Sequence, residues 1–574
     1  MFFISLTKNE ISQNFDAFNI EETKVNGFIY TSIIDNFLSK RVFEKNGFSI
    51  IESPLKQGPD EQKIIFSKIH YNPEKTKLSL SKSTISGRPI YYYLNSNNEF
   101  FCSTHIATLR KAGVPIKENT KALPEFFTYR IVMPPRTLFK DINQLCSGDE
   151  LQISMTNEKS IIQHTKSFNI PEKNHHITSV KEATKEIQYI LSQTIEHLSP
   201  QTQEIAPILS GGLDSSILCR LCQQELNIKD TYSTGYPFEQ PELNMEKKYA
   251  LSAGKALEMN HRYYEPTVAE YLQGFLESIS LSEQPLHHLQ MICLHLLYKK
   301  GIPQNKRIVV EGWGSGGVIG NFRNYLYYKD KILFRLLVKK PFHFILKSLP
   351  KFSDLGEKSV EMLLRSASNL SLSDPLHPIW SFHDYGDQEW TCKYLNESKQ
   401  SIIQGQYNAI KRFEGYSQYD LSAIYSLLGD EDVTLSILSK ISEGNHKITY
   451  IPFYDYDFLQ YVLSIPWNIK LKRPENILRK SLAHQVHIPD FIINRPKLGF
   501  GIQSTQWSKK DGVFEPLVTI AAKVFEEKEI RKMQSTEPIK AQTYWNILNY
   551  AIWKRLHIHN EPLSVLIEEL KNVI

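Results

Sequence analysis

The 574-residue sequence predicts an α/β protein in two parts. A β-rich α+β N-terminal domain is followed by a parallel-sheet domain whose C-terminal part is largely helical. Three observations carry this prediction. The chain is too long for one ordinary core, so two or more domains are expected. Its first 165 residues hold short alternating runs broken by Asn, Gly and Ser clusters. From residue 205 onward, strand-like runs alternate with helical ones, the rhythm of a parallel sheet with crossover helices.

The elements follow in order. The opening run, MFFISLTKNEISQNFD, has no basic segment before its apolar residues and no small-residue cleavage site, so it reads as a first β-strand. RPIYYYL (88–94), EFFCSTH (99–105) and DELQISM (149–155) read as further strands. The polar stretch 156–176 reads as a linker, and a helix rich in Glu, Lys and Gln follows at 178–197. Predicted boundaries are therefore 1–165, 166–200 for linker and lead-in helix, and 201–574. Within the last part, IAPILS, KDTYSTGY and KRIVVEGWG read as strands. Beyond 325 the pattern is helical, and KDKILFRLLVKKPFHFILKSL (329–349) reads as a solvated amphipathic helix of a globular domain.

Composition narrows the function classes. A net charge of +5, with no dense Lys/Arg block, gives no platform for nucleic acid. No apolar run approaches the roughly 18–20 residues that span a bilayer, so no membrane partner is expected. Six irregularly spaced cysteines suit a reducing cytoplasm. The Cys219/Cys222 pair lies in a helical pattern without a second ligand pair and reads as core packing. His287-His288 and His175-His176 also lack partners at metal spacing.

The chemistry is concentrated in one loop. Ile205 to Leu209 form an apolar strand that turns through Ser210, Gly211, Gly212, Leu213, Asp214, Ser215 and Ser216 directly into a helix. Two glycines let the backbone approach an anion closely. The hydroxyls of Ser210, Ser215 and Ser216, with the free N–H groups of the new helix, suit a phosphate. No Gly-Lys-Ser/Thr follows, so this is not a Walker loop. Asp214 suits a phosphate site only through a cation, which assigns it to Mg²⁺. The ordinary alternative is a strand–helix turn with Asp214 capping the helix.

The hexad SGGLDS resembles the pyrophosphate-binding motif of N-type ATP pyrophosphatases, and its surroundings resemble the asparagine-synthetase-like family. Residues 87–116 and 134–153 look like the N-terminal half of such proteins. ITYIPFYDYDFLQYVLSIP (448–466), ILRKSL (477–482) and IINRPKLGFGIQ (492–503) look like their C-terminal signatures. The resemblance implies a degenerate N-terminal-nucleophile (Ntn) hydrolase-like domain at 1–165. It further implies an adenine-nucleotide α-hydrolase-like (HUP) ATP pyrophosphatase domain at 201–574. It implies ATP and Mg²⁺ as cofactors, and the nucleotide would meet Leu209, the loop, Thr234 and Gly312. Lys497, in RPKLGF, would support the charged intermediate and the departing phosphates. Without the flanking match Lys497 would read as a surface cation.

The sequence also departs from that pattern. Glutamine-dependent members carry a nucleophilic cysteine at position 2, where this chain has Phe2, and its first cysteine is Cys102. A terminal nucleophile uses its own α-amine as base, which an internal thiol lacks. Gly316 stands where the family has an aspartate that ligates a second Mg²⁺, leaving Glu311 as the nearby carboxylate. Ile448 and Tyr450 replace a usual Glu and Arg, and Glu475 lies where a lysine often sits. Glu246 remains at a position where acidic residues are usual.

The expected activity is ATP-dependent, AMP- and pyrophosphate-forming amide synthesis without glutamine hydrolysis. The substrate would bear both carboxylate and amine, as in lasso-peptide cyclases and β-lactam synthetases. A precursor peptide and its protease are the implied partners. Asparagine synthesis from ammonia, and a catalytically impaired nucleotide-binding scaffold, are the alternatives.

Overall fold

In a computed structural model, the structure describes residues 2–7, 19–25, 28–34, 39–44, 47–52, 66–72, 77–83, 85, 88–155, 160–166, 168–238, 241–319, 386–398, 413, 415–472, 476–495 and 504–574. Within these the chain forms two antiparallel sheets, then a parallel sheet wrapped by helices, then a helical C-terminal part.

The antiparallel sheets are built from β1 (Phe2–Thr7), β2 (Asn19–Val25), β3 (Phe28–Ile34), β4 (Ser39–Glu44), β5 (Gly47–Glu52), β6 (Ser67–Asn72), β7 (Lys77–Lys82), β8 (Tyr91–Leu94), β9 (Phe100–Ser103), β10 (Asn143–Gln144), β11 (Asp149–Met155) and β12 (Ser160–Lys166). One sheet runs β10-β8-β9-β1-β3-β2, the other β12-β11-β7-β6-β5-β4. Strand parity explains how they face each other. Alternate residues of β6 and β7 are buried, so Ile69 and Tyr71 share a face with Leu78 and Leu80. Across the interface Ile4, Leu6, Tyr30 and Phe100 close the apolar layer, with Tyr30 and Tyr71 stacked at 4.2 Å.

The strand β12 corrects the expected linker at 156–176. Gln163, His164 and Thr165 are exposed along it, because β12 is the edge of its sheet and needs little apolar character. The lead-in helix runs Val180–Glu196 and is capped by Ser179, whose hydroxyl accepts from the Glu182 amide at 3.2 Å.

The parallel strands are β13 (Ile205–Pro207), β14 (Asp230–Thr234), β15 (Asn260–Tyr264), β16 (Ile308–Val310) and β17 (Ile448–Tyr450). β13 pairs with β16 and β16 with β17, while β14 pairs with β15. A parallel bridge from Ile208 to Tyr232 joins the two groups. The order is therefore β15-β14-β13-β16-β17, with β13 in the centre. Its chain neighbours lie on one side and the later strands on the other. That reversal is a topological switch point, and open α/β sheets take ligands in a crevice at the carboxyl ends of strands at such a point. The amphipathic stretch 329–349 lies outside the described residues.

Buried ion pairs join the antiparallel sheets to the helix Asp432–Gly444. The parity that buries Leu78 and Leu80 also turns Lys82 inward, where its Nζ lies 2.8 Å from Asp432 and both side chains are fully enclosed. Arg88 bridges Glu52 at 3.0 Å and Glu443 at 2.5 Å. Glu283 accepts from the backbone amides of Ile106 and Ala107 at 2.8 and 2.7 Å and pairs with Lys440.

Asp432→Asn strands the Lys82 ammonium in a dry site and is expected to cost roughly 3–5 kcal/mol. The apolar pair Lys82→Met with Asp432→Leu should cost much less. Urea unfolding of the three proteins checks this, and equal losses in the single and double variants would refute it.

Candidate functional site

The loop following β13 lies at that switch point. Leu209 donates its amide to the Tyr232 carbonyl at 2.9 Å, so the chain stays in the sheet until Ser210. The Leu209 side chain is fully buried, leaving only its backbone for a ligand. Gly211 then takes φ +70°, a value side chains resist. A Cβ there would also meet the backbone of Tyr249 at 2.6 Å, so glycine is required twice over.

Gly212 begins the helix Leu213–Leu226 with no side-chain cap, leaving the first-turn amides uncapped by side chains. The Ser210 and Ser215 hydroxyls lie 2.9 Å apart, and Ser215 also contacts the Gly212 carbonyl at 3.1 Å. These contacts fix the turn. From the neighbouring strand end, Gly312 packs so closely that a Cβ would lie 2.9 Å from the Ser215 amide. Its role here is to admit the helix start.

Four enclosed polar atoms around the loop have no hydrogen-bond partner: Asp214 Oδ1, Ser216 Oγ, Thr234 Oγ1 and Arg479 Nε. Buried polar groups are usually satisfied, which makes these four atoms candidates for contacts with a ligand. The carboxylate of Asp214 is held through its other oxygen by Arg479 Nη1 at 3.1 Å. Arg479 comes from the first turn of the helix Ile477–Gln485, and its second nitrogen is braced by Asn476.

A second arginine grips the loop itself. Arg495 donates to the Gly211 carbonyl at 2.8 Å and to Glu246 at 2.5 Å, with its guanidinium over the Tyr249 ring. This gives Glu246 a definite partner. Lys497 and Glu475 lie outside the described residues, but Arg495 pins the chain two residues before Lys497.

Glu311 is turned to other partners. Its carboxyl is buried at the end of β16, accepting from the Tyr298 hydroxyl and, at 2.7 Å, from the Trp313 indole. Burial pushes it up to about 7, against the lowering effect of those two bonds. Each oxygen accepts one hydrogen bond and keeps a further lone pair. Gly316 offers no carboxylate, and a Cβ there would stand 3.7 Å from Arg479 Nη1.

The loop residues were legible in the sequence; Arg479, Arg495 and Tyr298 were not. Both arginines stood inside quoted motifs, ILRKSL and IINRPKLGFGIQ, and that adjacency was the available signal. The cysteines at 219 and 222 are buried in the helix behind the loop, as their spacing predicts.

The chain matches the asparagine synthase family over residues 186–536, more than half its length, and a glutamine amidotransferase domain over residues 57–165. It is 20% identical over 531 residues to asparagine synthetase (glutamine-hydrolyzing) 1 of Bacillus subtilis (strain 168), covering 88% of this chain and 79% of that one. To asparagine synthetase (glutamine-hydrolyzing) 2 of the same organism it is 21% identical over 511 residues, covering 85% and 61%. A putative asparagine synthetase (glutamine-hydrolyzing) of Mycobacterium tuberculosis (strain ATCC 25618 / H37Rv) is 20% identical over 489 residues, covering 79% and 70%.

The raised Glu311 carboxyl gives a pH signature. It titrates at about 7 in the fold against an ordinary 4.5. Below 4.5 it is neutral in both states and costs nothing. Its contribution to stability therefore falls as pH rises from 4.5 to 7 and then stays flat, by on the order of 2–4 kcal/mol. Glu311→Gln removes that fall, so the drop in melting midpoint between pH 5 and pH 8 should shrink. An identical drop in both proteins would contradict it.

Proposed function

The chain belongs to the asparagine synthase family, and on that premise we propose that it is an ATP-dependent ligase that closes an amide bond within one substrate, without hydrolysing glutamine. The observation that carries the nucleotide part is the cradle at Gly211–Ser216, with its unpartnered polar atoms at the sheet's switch point. A substrate carboxylate oxygen attacks the α-phosphorus of ATP, forming the acyl-adenylate as the Pα–O–Pβ bond breaks and pyrophosphate leaves. An amine of the same substrate then attacks the acyl carbon. The amide forms, AMP departs and the amine loses a proton.

The chain's residues have distinct parts in this. The amides at the helix start and the Ser210 and Ser216 hydroxyls bind the departing phosphates. Arg495 holds the loop in shape through the Gly211 carbonyl. Asp214 Oδ1, enclosed and unpartnered, fits one Mg²⁺ shared with the phosphates. That ion would neutralise charge on the triphosphate. Gly316 supplies no carboxylate for a second.

Absence of glutamine hydrolysis is supported by the cysteines. None precedes residue 102. Cys102 is fully buried on β9 between the sheets, and burial raises its thiol far above the ordinary range. The amine therefore comes from elsewhere, and the substrate itself is the simplest source. Ring closure of a peptide, supplied as a precursor and trimmed by a protease, fits this requirement. The relatives are named glutamine-hydrolyzing asparagine synthetases, and a second reading keeps only the aspartate amidation from that name, with free ammonia in place of glutamine.

Exchange of labelled pyrophosphate into ATP tests the proposal. A peptide bearing a side-chain carboxylate and a free amine should support exchange and lose water from its mass. Asp214→Asn should reduce turnover at least a hundredfold, since a neutral amide cannot hold the cation. AMP release driven by aspartate and ammonium, with no peptide turnover, would replace ring closure by the second reading.

A further inference from the structure

Arg479 is a buried cation aimed at the phosphate cradle. Its side chain is 5% exposed, and it is held in place by Asp214 at 3.1 Å and by Asn476. It also stands 3.5 Å from the Ser315 hydroxyl. Its Nε–H is enclosed and donates to nothing in the protein. A guanidinium with a spare donor in such a place is a ready partner for a phosphate oxygen.

Its surroundings explain why a cation is needed there. The place where the sequence comparison expects a second metal-binding carboxylate is Gly316, and the guanidinium fills the space next to it. The nearest nitrogens lie 3.7 and 3.9 Å from where a Gly316 Cβ would be. The glycine is not imposed by the backbone, since its φ is not positive and a Cβ would meet only ordinary contacts. A carboxylate at 316 would be a second negative partner for Arg479 beside Asp214, leaving less of its charge for a phosphate.

We propose that Arg479 supplies the positive charge that a second metal ion would bring, so that this chain grips the triphosphate with one guanidinium and at most one divalent cation. The inference rests on the nucleotide-binding reading of the loop and extends it. Arg479 is covalently fixed and always charged, so phosphate binding survives removal of divalent ions.

Isothermal titration of ATP into the full chain, with excess EDTA and separately with 5–10-fold excess Mg²⁺ over nucleotide (roughly, so that sites are filled), tests this. The unmodified protein should bind in EDTA within about tenfold of its affinity in Mg²⁺. Arg479→Gln should lose roughly ten- to a hundredfold in EDTA, as expected for a charge-assisted contact. Should that variant fail to fold, Gly316→Asp serves in its place. It removes no side chain, and it should weaken binding in EDTA while Mg²⁺ restores it. Arg479→Gln or Gly316→Asp binding as tightly as the unmodified protein in EDTA overturns the role of Arg479 and leaves the nucleotide site intact. ATP failing to bind the unmodified protein with or without Mg²⁺ overturns the ligase reading itself. Binding that appears only with Mg²⁺ overturns the arginine proposal alone.

Discussion

The pairing of Asp214 with Arg479 governs the arrangement of the whole crevice. A carboxylate at the start of a helix gains from the dipole, yet a triphosphate seeking the same amides would be repelled by it. A fixed guanidinium within 3.1 Å removes that conflict. The pairing spans 265 residues, so it forms only after the helices Leu213–Leu226 and Ile477–Gln485 have packed side by side. Gly312 is part of the same requirement, because any side chain there would push the helix start away from β16.

The loop also depends on what lies behind it. Gly211 presses on the backbone of the helix Pro241–Ala256, and Arg495 clasps its carbonyl while binding Glu246 on that helix. Three separated segments thus hold one turn. The Arg495 segment resumes its described course at the helix Ser504–Trp507. There Trp507 sits among Tyr236, Phe238 and Tyr271, close to the end of β14. Arg495 and Trp507 each pack against elements that flank the loop.

How much of this the residues announced depends on distance along the chain. SGGLDS is contiguous, so a glycine turn with two hydroxyls and a carboxylate at the head of a helix could be read directly. The alternation after residue 205 likewise revealed parallel strands, and the two cysteines at helical spacing revealed their burial. Arg479 and Arg495 could not be read that way, because a surface arginine and an inward one look alike until a partner is placed beside them. Glu311 read as a ligand candidate on proximity alone, and the hydrogen bonds it accepts from Tyr298 and Trp313 could not be read from the chain. The strand β12 was hidden by its polarity, since an edge strand with an exposed face has the composition of a loop.

The ion pairs between the antiparallel sheets and the helix Asp432–Gly444 bear on the stability of the whole chain. Lys82, Arg88, Glu283 and Lys440 are all dehydrated, each relying on a partner contributed from a distant stretch of sequence. Deleting the sheets would leave Asp432 and Glu443 facing a void with no counter-ion. The N-terminal sheets are therefore hard to remove without destabilising the rest of the chain. They act as a mould around which the helix Asp432–Gly444 keeps its place.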